Sequence, residues 1–397
     1  MMESLYASRM RTIPKSFIRE ILKVTEDPNV ISFAGGLPNP RFFPVKAIAE
    51  AASNVLSEVD TSALQYSTTE GYRPLRESIA RRYQTKKGLA ISADEILITN
   101  GSQQGLDLLG KVFIGRGDAI AVERPAYLGA IQAFSIYEPQ FHMVPLLEDG
   151  VDVDRLKGVL NGQHVKLFHT VINFQNPSGI STSRRKREEL IELFGPYNTV
   201  VVEDDPYGEL RFTGETPPSM WNRLNGQTVM LGSFSKTIAP GMRLGWICAK
   251  RDIMDKLVVA KQASDLHSNS LCQRIVYQYL SSHDVDKHIA TIIEAYKKQR
   301  DAMVSAIEKC FPAEVKFTRP EGGMFLWVTL PERLSALELF EHAVKENVAF
   351  VPGTPFFVDG GGANHMRLNF SNADGERIEE GIKRLGRIIK KVLADRS

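Results

Sequence analysis

Four short apolar runs in the middle of this chain each end in a polar cluster, and this repetition is the feature that most restricts the fold. The runs cover residues 119–122, 167–172, 199–202 and 229–231. Helical patterns separate them, and strands that alternate with helices are typical of a mainly parallel sheet covered by helices. Open α/β sheets bind ligands at the carboxyl ends of their strands. The sequence therefore predicts an α/β fold whose functional site collects the polar clusters.

Length and charge restrict the class of protein further. The chain has 397 residues, 43% of them hydrophobic and 24% charged, with a net charge of +2. A chain of this length exceeds the size at which one core usually stops growing, so we expect two subdomains. The weak net charge indicates no nucleic-acid partner, and the basic run at 184–187 is interpreted as a solvated helix face. No apolar run approaches the roughly 20 residues of a membrane helix, so we expect no membrane partner.

Cysteine usage indicates a reducing compartment. The three cysteines, Cys248, Cys272 and Cys310, lie far apart in the chain, and no signal-peptide pattern is visible. We therefore expect free thiols and a cytoplasmic protein. The Cys/His spacing of a zinc site is absent from the sequence, and we expect no metal.

The last polar cluster contains a lysine that packing does not explain. Lys236 lies between two apolar runs, with Ser233 and Ser235 before it and Arg243 after it. Lysine is almost never buried without a partner, whereas hydroxyls and a guanidinium around an amine suit a phosphate held beside a reactive amine. A surface loop with a solvated lysine remains the alternative, because short motifs also occur by chance.

This segment resembles the Schiff-base lysine segment of fold type I pyridoxal-phosphate enzymes, the class I/II aminotransferases in particular. The resemblance covers nearly the whole chain, with the motifs in the family's order, and is strongest to the 2-aminoadipate and kynurenine/aminoadipate multi-substrate aminotransferases. The motifs that carry it include Ser-Phe-Ala-Gly-Gly-Leu-Pro at 32–38, Phe-Gln-Asn-Pro at 174–177 and Asn-Val-Ala-Phe-Val-Pro-Gly at 347–353. Ser178 departs from the threonine that relatives usually carry, but it keeps a hydroxyl.

The resemblance implies a large domain with a mainly parallel sheet and a smaller α+β domain. We assign residues 1–45 to an N-terminal arm and helix that belong to the small domain and cover the site. Residues 46–285 form the predicted large cofactor-binding domain, and residues 286–397 the small one. The boundary near residue 285 is expected to fall inside a helix.

The family's cofactor, pyridoxal 5′-phosphate, implies a role for each polar cluster. Lys236 carries it covalently, and Asp204 faces its ring nitrogen, because an ionised carboxylate nearby keeps that nitrogen protonated. Tyr207 and Asn176 donate hydrogen bonds to its phenolic oxygen, and Tyr127 stacks on its ring. The residues expected around its phosphate are Ser102, Gln103, Ser233, Ser235 and Arg243. For Asp204 the alternative is a carboxylate that merely caps a loop.

Substrate recognition and assembly also follow from the resemblance. Arg367 grips the α-carboxylate of the substrate with its fork-shaped guanidinium, assisted by Gly36 and Asn176; a surface ion pair is the alternative. Tyr66 reaches the phosphate of the neighbouring subunit's cofactor, which implies a homodimer with shared sites, although from sequence alone Tyr66 could equally be a core residue. Arg19, on a helical pattern, meets the side-chain carboxylate of aminoadipate or glutamate, or is an ordinary solvated charge.

The implied reaction is ping-pong transamination from an L-amino acid to an oxo acid such as 2-oxoglutarate. Lys236 removes the Cα proton as general base and then returns it as general acid. The candidate donors are 2-aminoadipate, aromatic and branched-chain amino acids. Another reaction of the same cofactor, such as β-elimination or decarboxylation, would use the same residues. A further alternative is the effector domain of a transcription regulator. Such a regulator carries an N-terminal DNA-binding segment, and we expect the stretch before the glycine pair at 35–36 to be too short for one.

Overall fold

The computed structural model describes residues 5–7, 9–10, 27–57 and 61–396. The strands are β1 (Ile31–Ser32), β2 (Ile96–Thr99), β3 (Ala119–Arg124), β4 (Gln140–Leu147), β5 (Gly150–Val151), β6 (Val165–Val171), β7 (Val200–Asp204), β8 (Thr228–Ser233), β9 (Gly245–Cys248), β10 (Lys316–Phe317), β11 (Phe325–Thr329), β12 (Val348–Ala349), β13 (Val351–Pro352) and β14 (His365–Asn369). The α-helices are α1 (Val45–Ser57), α2 (Arg73–Lys87), α3 (Ser102–Phe113), α4 (Leu128–Ser135), α5 (Val153–Gly162), α6 (Arg184–Phe194), α7 (Arg251–Asp265), α8 (Ser270–Ser282), α9 (Val285–Cys310), α10 (Ala336–Lys345) and α11 (Gly375–Ala394).

The main sheet has the strand order β2-β9-β8-β7-β6-β3-β4-β5. Strands β4, β3, β6, β7 and β8 are parallel neighbours, whereas β9 runs antiparallel to both β2 and β8. The register places Val171 opposite Asp204, and Asp204 opposite Leu231. Because these strands end at the same level, the segments that follow them meet at one edge. The predicted mainly parallel α/β sheet is confirmed.

A smaller antiparallel sheet, β10-β11-β14-β13, is built from the C-terminal part of the chain. Helices α9 and α11 pack against each other beside it, and Ile31 and Phe33 from the N-terminal part join their core. Strand β1 also pairs in parallel with β12. The N-terminal segment therefore associates with C-terminal elements, whereas the exact division at residues 45 and 285 stays a prediction.

The structure changes some of the predicted boundaries. The turn that was expected to extend to residue 105 ends earlier. Gly101, at φ 74°, changes the direction of the chain, and α3 begins at the next residue, Ser102. The continuous helical region expected before Cys310 is three helices, and residue 285 is the first residue of α9. Strand β4 was not predicted; it is only partly buried and contains Pro145, so its pattern is weak. In the described ranges, no helix is long and apolar enough to pass through a membrane.

Candidate active site

Lys236, in the segment that follows β8, contacts the glycine pair at 35–36. The ammonium Nζ of Lys236 donates a hydrogen bond of 2.9 Å to the carbonyl oxygen of Gly36. Burial lowers the pKa of Lys236 to about 8, and the positive charges of Arg367 and Arg243 contribute to this shift. Lys236 is therefore an amine whose neutral form is accessible near physiological pH, as nucleophilic and proton-transfer chemistry requires.

Asp204, the last residue of β7, is buried at the centre of this edge, with 1% of its surface exposed. Its Oδ2 atom lies 3.3 Å from Nε2 of His169 on β6. Its Oδ1 atom has no hydrogen-bond partner within the described part of the chain. Buried polar atoms in native proteins are nearly always paired, so this oxygen marks a place where a ligand donor fits.

Aromatic side chains line the same space. The ring of Tyr127, between β3 and α4, is stacked with the His169 ring at 6.5 Å between centroids. Tyr207 follows β7 and is buried, and Asn176 lies close enough to its hydroxyl to lower the pKa slightly. Burial, together with the nearby Tyr127, raises the pKa of Tyr207 well above its ordinary value. The phenol therefore stays protonated and can donate a hydrogen bond.

The start of α3 and the end of the lysine segment form an anion-binding corner. The first backbone N–H groups of a helix lack intrahelical acceptors and lie at its positive end. No side chain caps this helix start, and a guanidinium nitrogen of Arg243 lies 3.3 Å from the carbonyl oxygen of Asn100. A Cβ atom at Gly101 would come within 2.7 Å of the same guanidinium. Gly101 also has φ 74°, a backbone conformation that other residues rarely adopt, so glycine suits the turn that Arg243 contacts just before Ser102.

The remaining predicted phosphate residues differ in their contacts. The hydroxyl oxygen of Ser233 accepts a hydrogen bond of 3.1 Å from the backbone N–H of Ser235. The side-chain amide of Gln103 donates to the carbonyl oxygen of Gly129, at 2.8 Å. Its side chain therefore braces the first turn of α4, whereas its backbone N–H belongs to the α3 start.

Arg367 on β14 projects from the small sheet into the same site, with 3% of its surface exposed. One guanidinium nitrogen donates to Oδ1 of Asn176 at 2.8 Å and the other to the carbonyl oxygen of Ala34 at 2.7 Å. Its guanidinium also lies 4.4 Å from the centre of the Phe325 ring. No ion pair links Arg367 to any residue within the described ranges. Its burial rules out the surface ion pair considered from the sequence and leaves a cation ready for an anionic ligand.

One predicted residue, Tyr66, lies apart from this constellation. Tyr66 is 79% exposed, so a core position is wrong, and its ring contacts that of His267 edge-on at 5.8 Å between centroids. Arg19, with the rest of the helical pattern at 16–24, lies outside the described residues.

Sequence reasoning missed several residues that support the site. His169 contacts Asp204, and the carboxylate of Glu123 accepts hydrogen bonds from Thr170 and from Gln175, the neighbour of Asn176. Each of these polar residues lies in or next to an apolar run, which is the signal that could have indicated them. In the part of the chain that the structure describes, no group of three or more His, Cys, Asp or Glu side chains could hold a metal ion.

Comparisons with known proteins agree with this geometry. The family model for aminotransferase class I and II matches residues 29–385. Aromatic-amino-acid aminotransferase 1 of Thermococcus litoralis is 46% identical over 98% of this chain and 94% of its own length. The 2-aminoadipate transaminase of Thermus thermophilus is 44% identical over 96% of both chains. The crystal structure of LysN, an α-aminoadipate aminotransferase of Thermus thermophilus complexed with N-(5′-phosphopyridoxyl)-L-leucine, is 42% identical, covers 99% of both chains and superposes with a TM-score of 0.92.

The chain therefore belongs to the class I and II aminotransferases, on the fold type I architecture. It is an enzyme that depends on pyridoxal phosphate and moves amino groups between amino acids and oxo acids.

Proposed function

We propose that this aminotransferase binds pyridoxal 5′-phosphate at the carboxyl edge of the main sheet. The Oδ1 atom of Asp204, which has no hydrogen-bond partner among the described residues, carries this assignment, because a buried carboxylate oxygen requires a donor and a protonated ring nitrogen supplies one. Tyr207 and Asn176 are proposed to donate to the phenolic oxygen, and Tyr127 to stack on the ring. The residues proposed to hold the phosphate are Ser102, Gln103, Ser233, Ser235 and Arg243.

When bound, pyridoxal phosphate supplies an electron sink for the bond that breaks at the substrate Cα. The protein holds the reacting groups and moves the proton. Lys236 would hold the cofactor covalently, and its free Nζ atom would take the Cα proton of the substrate and then return it. Its lowered pKa supports this role, because a base works best when its pKa lies near the working pH.

Arg367 is proposed to bind the α-carboxylate of the substrate, with the Gly36 backbone and Asn176 assisting. A buried guanidinium that has no acidic partner in the described ranges suits bidentate recognition of a planar carboxylate. In this arrangement the carboxylate anchors the amino acid and Lys236 faces its Cα. The same guanidinium then binds the carboxylate of the incoming oxo acid, so Arg367 serves both half-reactions of ping-pong transamination.

We propose a broad range of amino donors, with 2-aminoadipate, aromatic and branched-chain amino acids as candidates and 2-oxoglutarate as acceptor. The names of the relatives support this range, since they include an aromatic-amino-acid aminotransferase, a 2-aminoadipate transaminase and a complex that carries leucine. Arg19 is proposed to meet the side-chain carboxylate of acidic donors. The Arg19→Ala variant should then lose kcat/KM for 2-aminoadipate and glutamate and keep it for leucine and phenylalanine, and an equal change for all donors would contradict the assignment.

Assembly and location belong to the same proposal. A homodimer in which Tyr66 completes the partner's phosphate site is supported by the exposure of this aromatic side chain. A cytoplasmic location is supported by three free cysteines. The pairing of β1 with β12 supports an N-terminal segment, within residues 1–45, that belongs to the small domain of residues 286–397, beside a large domain of residues 46–285.

The decisive experiment removes the amine of Lys236. The purified wild type should be yellow, and borohydride should fix the cofactor to Lys236. The Lys236→Ala variant should lose transamination for every donor. Lys250→Ala is the matched control, because Lys250 forms an ion pair with Glu95 at the opposite edge of the sheet, and it should keep wild-type activity. Near-normal turnover by Lys236→Ala would refute the proposed site.

A further inference from the structure

A lysine with no exposed surface lies behind the proposed phosphate corner. Lys261, on α7, is 0% exposed. Its Nζ atom lies 2.9 Å from each carboxylate oxygen of Asp265 and donates to Oε1 of Gln104 at 3.0 Å and Oγ of Ser268 at 3.1 Å. A lysine is almost never buried completely without partners. These polar neighbours belong to α3, to the end of α7 and to the loop that follows it.

The carboxylate of Asp265 extends this contact to the phosphate turn. Its Oδ2 atom accepts hydrogen bonds of 2.6 Å from the side-chain amides of both Asn100 and Gln104. Gln104 in turn accepts the backbone N–H of Asn100 at 2.8 Å. Asn100 is thus held through its side chain and its backbone, directly before Gly101. Its carbonyl oxygen is the acceptor for Arg243, so the buried pair and the phosphate-facing arginine contact the same residue.

The same pair also anchors a second loop. Leu266 follows Asp265 with φ 67° and ψ −58°, a conformation that residues other than glycine rarely adopt. Such strained backbone persists only where its surroundings hold it in place, and Asp265 with Ser268 supplies that hold. The next residue, His267, accepts the backbone N–H of Ser67 at 3.3 Å and contacts the ring of Tyr66.

Stability alone is a weak reason for this arrangement. A buried ion pair often stabilises a protein no more than apolar side chains of the same volume would. Directional hydrogen bonds do fix backbone positions, however, and here they converge on the turn that presents the α3 N–H groups. We propose that Lys261 and Asp265 are positioning residues that hold the phosphate-binding turn, and the loop against Tyr66, in the geometry that binds the cofactor phosphate. This inference rests on the proposed cofactor site.

The test compares a ligand that has the phosphate with one that lacks it. Stripped wild-type, Lys261→Met and Asp265→Asn proteins are titrated with pyridoxal phosphate and with pyridoxal, following cofactor absorbance. Each variant should bind pyridoxal phosphate about tenfold more weakly, in line with coupling inside one hydrogen-bond network. Binding of pyridoxal should change less than about twofold, because it does not use the turn. Lys250→Met removes an ion-paired lysine at the opposite edge of the sheet and should match the wild type.

A merely structural role has a different outcome. The substitutions would then lower the melting temperature and weaken the binding of pyridoxal phosphate and of pyridoxal equally. That result would overturn the inference, and so would unchanged binding of both ligands. If Lys261→Met does not fold, Asp265→Asn decides, because asparagine keeps the size of the side chain. Failure of the proposed function itself is recognised earlier, since the wild type would then not bind pyridoxal phosphate at Lys236.

Discussion

At the scale of single residues, the charge of Lys236 is set by its surroundings. Burial lowers its pKa from 10.5 to about 8, with further contributions from Arg367 and Arg243. Only the neutral amine attacks an aldehyde, so the rate at which stripped enzyme takes up pyridoxal phosphate should rise about tenfold per pH unit and level off above pH 8. Stopped-flow absorbance measures this rate. Arg367→Gln should move the midpoint of this pH dependence upward, because it removes a positive charge that lowers the pKa of Lys236. A wild-type midpoint near pH 10.5 would contradict the assignment.

Arg367 offers a second test at this scale. Arg367→Ala should raise KM strongly and lower kcat/KM by an amount equivalent to about 2–5 kcal/mol, because a buried charged partner of the carboxylate is lost. Arg367→Lys should rescue little, since a single ammonium cannot reproduce two parallel hydrogen bonds. Steady-state kinetics with several donors measure both variants. Wild-type kinetics for every donor would make Arg367 purely structural.

At the scale of elements, a buried carboxylate joins the ends of β3 and β6. Glu123 is 1% exposed and accepts hydrogen bonds from Oγ1 of Thr170 at 2.6 Å and Nε2 of Gln175 at 3.1 Å. Gln175 also donates to the carbonyl oxygen of Pro125 at 2.8 Å and accepts the backbone N–H of Ser178 at 2.8 Å. This network ties together the two loops that carry Tyr127 and Asn176, so the relative position of ring and amide depends on Glu123.

The protonation of Glu123 should be visible in stability. Burial raises its pKa from 4.5 to about 7, although the Thr170 hydrogen bond opposes the shift. The folded state then binds a proton more tightly than the unfolded state, so this contribution falls as pH rises from 4.5 through 7, by roughly 3 kcal/mol in total. Glu123→Gln lacks the titration. Urea unfolding measures the free energy of unfolding at pH 4.5 and at pH 8. Between these two pH values the stability of Glu123→Gln relative to the wild type should rise by roughly 3 kcal/mol. The same difference between variant and wild type at both pH values would contradict this prediction.

Burial on both faces explains which strands could be predicted from sequence. The apolar runs of β2, β3, β6, β7 and β8 stand out because both faces of these strands are covered, and the polar residues just beyond them mark the ligand edge. The start of α3 could not be placed, since it depends on the backbone angle of Gly101. Lys261 could not be linked to Gln104, because the two residues lie 157 positions apart and only folding brings α7 behind α3.

At the scale of the whole molecule, exposed apolar side chains gather around Tyr66. Leu64 is 71% exposed, Tyr66 79% and Leu266 48%, and the contact between Tyr66 and His267 brings their loops together. Exposed apolar clusters of this kind mark protein–protein contacts. A second copy of the chain is the partner that the proposed function requires, because a two-fold axis would place Tyr66 of each subunit at the other's site.

Complementation between two variants, each lacking one residue of the proposed site, tests this arrangement directly. In a heterodimer of Lys236→Ala and Tyr66→Ala subunits, sharing across the interface creates one site with both residues intact and one with neither. Random pairing of equal amounts makes half of the dimers mixed, so co-expressed subunits should recover about a quarter of wild-type activity. If Tyr66 served its own subunit, each site of the mixed dimer would lack one residue and activity would stay at the level of the separate variants. That result, or a fully active monomer in sedimentation at assay concentration, would disprove the shared site.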